Sequence, residues 1–202
     1  MKLYYSPGAC SLSPHIVAHE AGIALELEKV DLRTKQTESG QDFVGISARG
    51  YVPALQLDNG EVLAESPAIV QYLADLKPES GLAPANGSMA RYRLQEWLAY
   101  IGTEIHKSYS PLFNPATLDA VRADRAAYLQ RRYGLIEQTL AKQPYLLGEQ
   151  FSVADIYLFV VTNWARMVKL DLSAFPALQA FQERVAARPA VQAALRAEKL
   201  IK

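Results

Sequence analysis

The 202-residue chain holds a single cysteine, Cys10, in the run Gly8-Ala9-Cys10-Ser11-Leu12-Ser13-Pro14. It follows a short strand-like segment and stands at or just before the start of a helical one. Unpaired N–H groups at a helix start carry partial positive charge, and they draw a thiol of ordinary pKa about 8.5 toward the thiolate. With no second cysteine, any thiol–disulfide exchange at Cys10 has to be resolved by an external thiol. The competing reading, a small buried apolar residue, is outweighed by the strand–loop–helix setting. Glu65-Ser66 is a second such place, ending one strand and opening a helix. Ser66 can serve simply as a helix cap. Alternatively its hydroxyl, its N–H and the helix dipole together favour a carboxylate, while Glu65 accepts from an ammonium group. Carboxylate and ammonium on one carbon describe the α-amino-acid end of a ligand.

Other candidates divide between chemistry and packing. Val52-Pro53 immediately precedes a strand, where proline needs no special explanation. A cis bond there would turn the N–H and C=O of Val52 outward, to pair with an extended peptide as an added strand would. His15 and His19, with Glu20 beside them, imitate half of a metal site, but no third ligand has usable spacing and no complete HExxH is present. No metal is expected. Tyr4 and Tyr5 face opposite sides of a strand, and both are read as core. His106 lies about 120° from the buried stripe of its helix. It is either solvated or a donor to a thiolate in a cleft between domains. Tyr109 and Trp164 stand between core and cleft.

These residues need elements to hold them. KLYY reads as a strand, followed by the breaker Ser6-Pro7-Gly8 and a helix that Ser11, Ser13 and Pro14 start and Gly22 ends. LELEKVDL alternates as a half-buried strand does. YVPALQLD and EVLAE flank Asn59-Gly60, a strong hairpin signal, and Ser66-Pro67 opens AIVQYLADL as N-cap and N1. The order β-α-β, connection, β-β-α matches a thioredoxin-like layout with one mixed sheet. After KPESGLAPANGS, which reads as a linker around residues 80–87, the chain is almost wholly helical. Leu94, Trp97, Leu98, Ile101 and Ile105 form one apolar stripe. A long helix is expected from about Leu118 to Ala141. Ser152 and Asp155 form a capping box, with Phe151 and Ile156 placed as a hydrophobic staple, ahead of a central apolar helix. Pro176 and Pro189 begin two shorter helices. The expected division is an N-terminal thioredoxin-like domain over 1–80 and an all-helical domain over 87–202.

Composition narrows the function. Lys plus Arg and Asp plus Glu are 21 each, so the basic excess of a nucleic-acid binder is missing. Half of the residues are apolar, as in an ordinary globule. The run VADIYLFVVTNWARMV is broken by Asp155, Asn163 and Arg166, so no membrane partner is expected. The start lacks the apolar run of a secretion signal, and one cysteine allows no internal disulfide. A cytoplasmic protein is the expectation.

Taken in order, MKLYYSPGACSLSPHI, GYVPALQLDNG, LAESPAIVQYLAD, EWLAYIGTEIHKSYSPLFNP and YLLGEQFSVADIYLF make the chain resemble the glutathione S-transferases, specifically the bacterial beta class, over essentially its whole length. The resemblance implies glutathione as co-substrate. It makes Cys10 the active-site cysteine beside the glutathione sulfur and His106 its companion. It assigns the cysteinyl backbone of glutathione to Val52 and cis-Pro53, and the γ-glutamyl end to Glu65 and Ser66. Leu32 and Lys35 fall where the tripeptide is contacted, the lysine facing the glycyl carboxylate, and Glu104 matches an acidic residue that reaches glutathione from the neighbouring subunit. Tyr109, Phe113 and Trp164 would line the site of a small hydrophobic electrophile. Ala99 departs from the pattern, since relatives often carry asparagine there. Glu104 and His106, two residues apart, project about 160° apart on a regular helix, so one helix can hardly aim both at one ligand. A two-fold homodimer is expected.

The implied activity is attack of the glutathione thiolate on an apolar electrophile, with the helix dipole and hydrogen bonds from Ser11 or Cys10 favouring the thiolate. Cys10 would matter more for thiol–disulfide exchange. Two rivals stand beside this reading: a reductive or hydrolytic dehalogenase-type glutathione enzyme of a catabolic pathway, and a non-catalytic ligand-binding protein of the same fold.

Overall fold

The computed structural model describes residues 1–202 as two compact units, Met1–Ala83 with Ala187–Lys202, and Pro84–Ala186.

The first unit is built on a five-stranded mixed sheet in the order β3-β2-β1-β4-β5. Its elements are β1 (Lys2–Tyr5), α1 (Leu12–Glu20), β2 (Glu26–Asp31), β3 (Gln36–Thr37), α2 (Phe43–Ile46), β4 (Ala54–Gln56), β5 (Val62–Ala64) and α3 (Ser66–Asp75). β1 and β2 run parallel, and parallel neighbours need a crossover, which α1 supplies. β4 and β5 form the Asn59-Gly60 hairpin, with Gly60 at φ 88°, and β4 lies antiparallel to β1. Leu3 opposes Leu55 and Tyr4 opposes Ala54 in register, and all four are buried, so both faces of the central strands are covered. Tyr4 packs with Val30, Phe43, Val52 and Ala54. Val52, just ahead of β4, is thereby anchored in the core.

The expected thioredoxin-like order is present, with two short additions, β3 and α2, in the connection. Elements of two and four residues are too brief to show a period. One helix start differs. Ser66 is the first residue of α3 and Glu65 its N-cap, at φ 73°, ψ 119°. Ser66 is therefore one position inside the expected N-cap.

The second unit carries α4 (Met89–Tyr100), a π-helical segment (Ile101–His106), α5 (Lys107–Phe113), α6 (Asp119–Leu140), α7 (Val153–Val168) and α8 (Pro176–Ala186). α7 buries twelve of its sixteen residues, which makes it the central helix. The capping box holds its start: the Asp155 carboxylate accepts from Ser152 N at 2.8 Å and Ser152 Oγ at 2.7 Å, and from Leu146 N at 2.8 Å. α6 contributes Leu129, Tyr133, Ile136 and Leu140, one stripe at helical spacing. No helix is long and apolar enough to cross a membrane.

The last helix departs from a simple division at residues 80–87. α9 (Pro189–Ala197) belongs with the first unit, packed on α1. Arg188 grips Glu20 with two bonds of 2.6 and 2.8 Å, and buried Glu198 reaches His15 and Gly8. These partners lie more than 160 positions away in the chain, so no local pattern announces them.

Candidate functional site

In the first unit, three chain segments converge on Cys10. Cys10 is two residues ahead of α1, in the turn that leaves β1. Its Sγ donates to Val52 O at 3.3 Å, and its own carbonyl accepts from Ser13 N at 3.0 Å and Ser66 Oγ at 3.4 Å. The β1–α1 turn, the approach to β4 and the start of α3 thus meet within hydrogen-bond distance. The turn is clipped from inside by Ser11, whose Oγ accepts from Ser6 N at 3.1 Å and donates to Ser6 O at 3.2 Å. Ser11 is fully buried. Its hydroxyl shapes the turn and is spent on Ser6, so a hydrogen bond from Ser11 to a bound thiolate would fall to its backbone N–H and not to its side chain.

The Val52-Pro53 bond is cis. Beside it, Glu65 holds a positive φ that side-chain-bearing residues rarely adopt, which costs about 1–3 kcal/mol. This backbone places the exposed Glu65 carboxylate where Tyr51 Oη donates to it at 2.7 Å and Arg49 Nε approaches to 3.6 Å. The Tyr51 phenol is held above its ordinary pKa chiefly by that hydrogen bond to Glu65. Sequence reasoning missed Arg49 and Tyr51 in this role, because neither belongs to a recognisable pattern. Ser66, by contrast, is buried at the tip of α3. Lys35, at φ 60°, donates from Nζ to Gly50 O at 2.8 Å, and Leu32 is exposed. An ammonium has three donors, so Lys35 can keep that bond and still take a carboxylate.

His15 Nδ1 is 2.9 Å from Glu198 Oε1, and both side chains are buried. The two imidazole rings lie 5.1 Å apart, and burial holds His19 below its ordinary pKa. Among the strand tyrosines, Tyr4 is core and donates to Gln56 Oε1 at 3.0 Å, whereas Tyr5 is half-buried.

In the second unit, His106 closes the π-helical segment, where Lys107 N–H reaches back five residues to Gly102 O. Such widened turns recur at functional sites. His106 Nδ1 lies 2.5 Å from Tyr157 Oη, and its ring meets Trp164 edge-on at 4.8 Å. Trp164 in turn meets Phe113 at 5.7 Å and Tyr109 at 5.8 Å. Phe113 is exposed and Trp164 mostly buried. Tyr109 is fully buried, and its hydroxyl pairs with that of Tyr133 at 2.9 Å, with Tyr133 donating onward to Thr162. Burial raises the pKa of both phenols. Tyr109 therefore backs the aromatic cluster and does not line it, which corrects its expected role.

Glu104 accepts from Tyr128 Oη at 2.5 Å and pairs with Arg132 Nε at 2.7 Å. The guanidinium of Arg132 also lies 4.6 Å over the Tyr128 ring. The angle expected between Glu104 and His106 assumed a regular α-helix. Both lie in the π-helical segment, so that figure does not hold. Ala99 accepts at its carbonyl from Thr103 Oγ1 at 3.0 Å.

Residues 8–76 match the family model of the glutathione S-transferase N-terminal domain, and residues 100–189 that of the C-terminal domain. The chain is 44% identical over 200 residues to glutathione S-transferase GstA of Escherichia coli O157:H7, covering 99% of this chain and 100% of that one. It is similar to a sphingomonad glutathione S-transferase solved in complex with glutathione, with TM-score 0.96, 50% identity and full coverage of both chains. A bacterial beta class glutathione S-transferase of Sphingomonas chungbukensis gives TM-score 0.96 and 47% identity, again over both whole chains.

Proposed function

The chain belongs to the glutathione S-transferase family, and on that premise we propose that glutathione is held at the convergence on Cys10 and attacks a small hydrophobic electrophile. The protein is a glutathione transferase of the beta-class type, and glutathione is its co-substrate. Val52 pairs with the cysteinyl backbone. The γ-glutamyl carboxylate takes the buried tip of α3 at Ser66, whose hydroxyl turns to it from the long 3.4 Å bond to the Cys10 carbonyl and whose N–H and helix dipole favour an anion, and Glu65 accepts from the ammonium. Lys35 receives the glycyl carboxylate, with Leu32 alongside.

The observation that carries this reading is that Val52 and Ser66 both reach Cys10, the carbonyl of Val52 at 3.3 Å from its Sγ and the Ser66 hydroxyl at 3.4 Å from its carbonyl oxygen. A cysteine backbone laid against Val52 brings its sulfur beside Cys10. Attack of the glutathione thiolate on an organic halide then forms a thioether and expels halide ion, while addition to an activated alkene breaks its π bond and takes a proton from solvent at the neighbouring carbon; the helix dipole of α1 favours the anionic nucleophile. His106 donates to the thiolate, and Phe113 and Trp164 receive the electrophile.

A second activity rests on Cys10 itself. Its thiolate attacks the glutathione sulfur of a mixed disulfide, forms a Cys10–glutathione disulfide and releases the other thiolate. A second glutathione thiolate then frees Cys10 and leaves as oxidised glutathione. The homodimer and a cytoplasmic setting, where a lone thiol stays reduced, belong to the same reading. Wild type and Cys10→Ala are compared on a chloroaromatic and on hydroxyethyl disulfide. Conjugation is expected to survive in large part while exchange falls to background; equal loss of both contradicts the division of labour.

A further inference from the structure

We propose that Glu198, in the C-terminal segment, is a positioning residue for the Cys10 turn and so for glutathione binding; this rests on the reading that the turn forms the glutathione site. Glu198 caps α9, and a Schellman motif fixes where it points. Lys199 is left-handed at φ 58°, Leu200 N donates to Leu195 O at 2.9 Å, and Lys199 N donates to Arg196 O at 2.9 Å. That geometry sends the Glu198 carboxylate inward, with Oε1 2.9 Å from His15 Nδ1 and Oε2 accepting from Gly8 N at 2.9 Å. Its side chain is wholly buried. Leu200 closes over the same place, since a Cβ on Gly8 would lie 3.5 Å from its side chain.

The turn from Ser6 to Cys10 is therefore held twice. Ser11 clips it from inside, and a carboxylate 190 positions away holds it from outside. Gly8 is two residues ahead of Cys10 and adopts φ 71°. A buried carboxylate is costly unless its oxygens are paired. Here one oxygen is spent on α1 and the other on the backbone that sets the height of Cys10 against Val52.

The test separates positioning from tail docking. Arg188→Met removes the bonds to Glu20 and leaves Gly8 untouched. Glu198→Gln keeps an acceptor for Gly8 and a donor for His15. The double variant His15→Leu with Glu198→Leu removes both buried polar groups together, so no uncompensated buried charge remains, and takes the Glu198 acceptor from Gly8 N. Glutathione affinity is measured by calorimetry, and KM and kcat by conjugation, at a temperature where every variant is folded. The double variant is expected to raise Kd and KM for glutathione roughly tenfold, about 1.4 kcal/mol, with kcat little changed. Glu198→Gln should stay near wild type, and Arg188→Met should lose thermal stability but not affinity. The inference is overturned by a double variant that binds like wild type, or by Arg188→Met weakening binding as much as the double variant does. A wild-type protein that binds no glutathione removes the site reading and this inference together.

Discussion

Single residues divide by whether their chemistry depends on neighbours in sequence. Cys10, Glu65 and Ser66 were legible because each stands where a strand gives way to a helix, a place that local turn and cap signals reveal. Their partners were not. Tyr51 and Arg49 meet Glu65 across a folded loop, and Glu198 meets Gly8 across nearly the whole chain. Ser11 illustrates the reverse error: its type suits a hydrogen bond to a thiolate, yet its oxygen is spent on Ser6. At this scale Ser66→Ala is expected to raise KM for glutathione about tenfold to a hundredfold, as loss of a hydrogen bond to a charged group costs about 1.5–3 kcal/mol. A smaller change in kcat would mark the loss as one of binding. Steady-state kinetics at saturating electrophile decides it, and an unchanged KM refutes the role.

Elements were readable to the extent that they carry caps and periods. The long helix α6 and the capping box of α7 lie where their sequence signals put them. The π-helical segment was not legible, because the weak helix formers Gly102 and Thr103 in Ile101–His106 do not specify a widened turn; the widening accompanies packing of Gly102 and His106 against Tyr157. Asp155 offers a quantitative test. Burial pushes its pKa up to about 6 from 3.8, against hydrogen bonds from Leu146 and Ser152 that pull it down. The folded state thus binds this proton more tightly than the unfolded chain. The linked contribution to stability is fully present below about pH 4 and is lost as pH rises through about 6, a step on the order of 2–3 kcal/mol. Asp155→Ala leaves Leu146 N and Ser152 N without their acceptor and should cost about 2–4 kcal/mol at neutral pH. Denaturant unfolding at pH 4 and pH 7 should show a larger advantage of wild type at pH 4. A constant difference between the two pH values contradicts the assignment.

At the scale of the whole molecule, the change from mixed sheet to helices was visible in composition, while the return of α9 to the first unit was not. That return depends on Glu20, His15 and Gly8 meeting Arg188 and Glu198, contacts that only the fold brings together. Association is the other property of this scale. Glu104 is tied within its own chain to Tyr128 and Arg132, which fixes its carboxylate without neutralising every lone pair. If it serves the glutathione of a second copy, sedimentation should give a dimer. Glu104→Gln should then raise KM for glutathione by about twofold to fivefold while the dimer persists, since a solvent-accessible ion pair contributes roughly 0–1 kcal/mol. A monomer with full activity rules out the shared site. The central claim is that the backbone beside Cys10 is a docking edge for a tripeptide thiol, and a crystal structure with bound glutathione tests it most directly. The account predicts the cysteinyl backbone paired with Val52, the γ-glutamyl carboxylate on Ser66, and the sulfur beside Cys10. Glutathione bound elsewhere, with Val52 and Ser66 untouched, would contradict it.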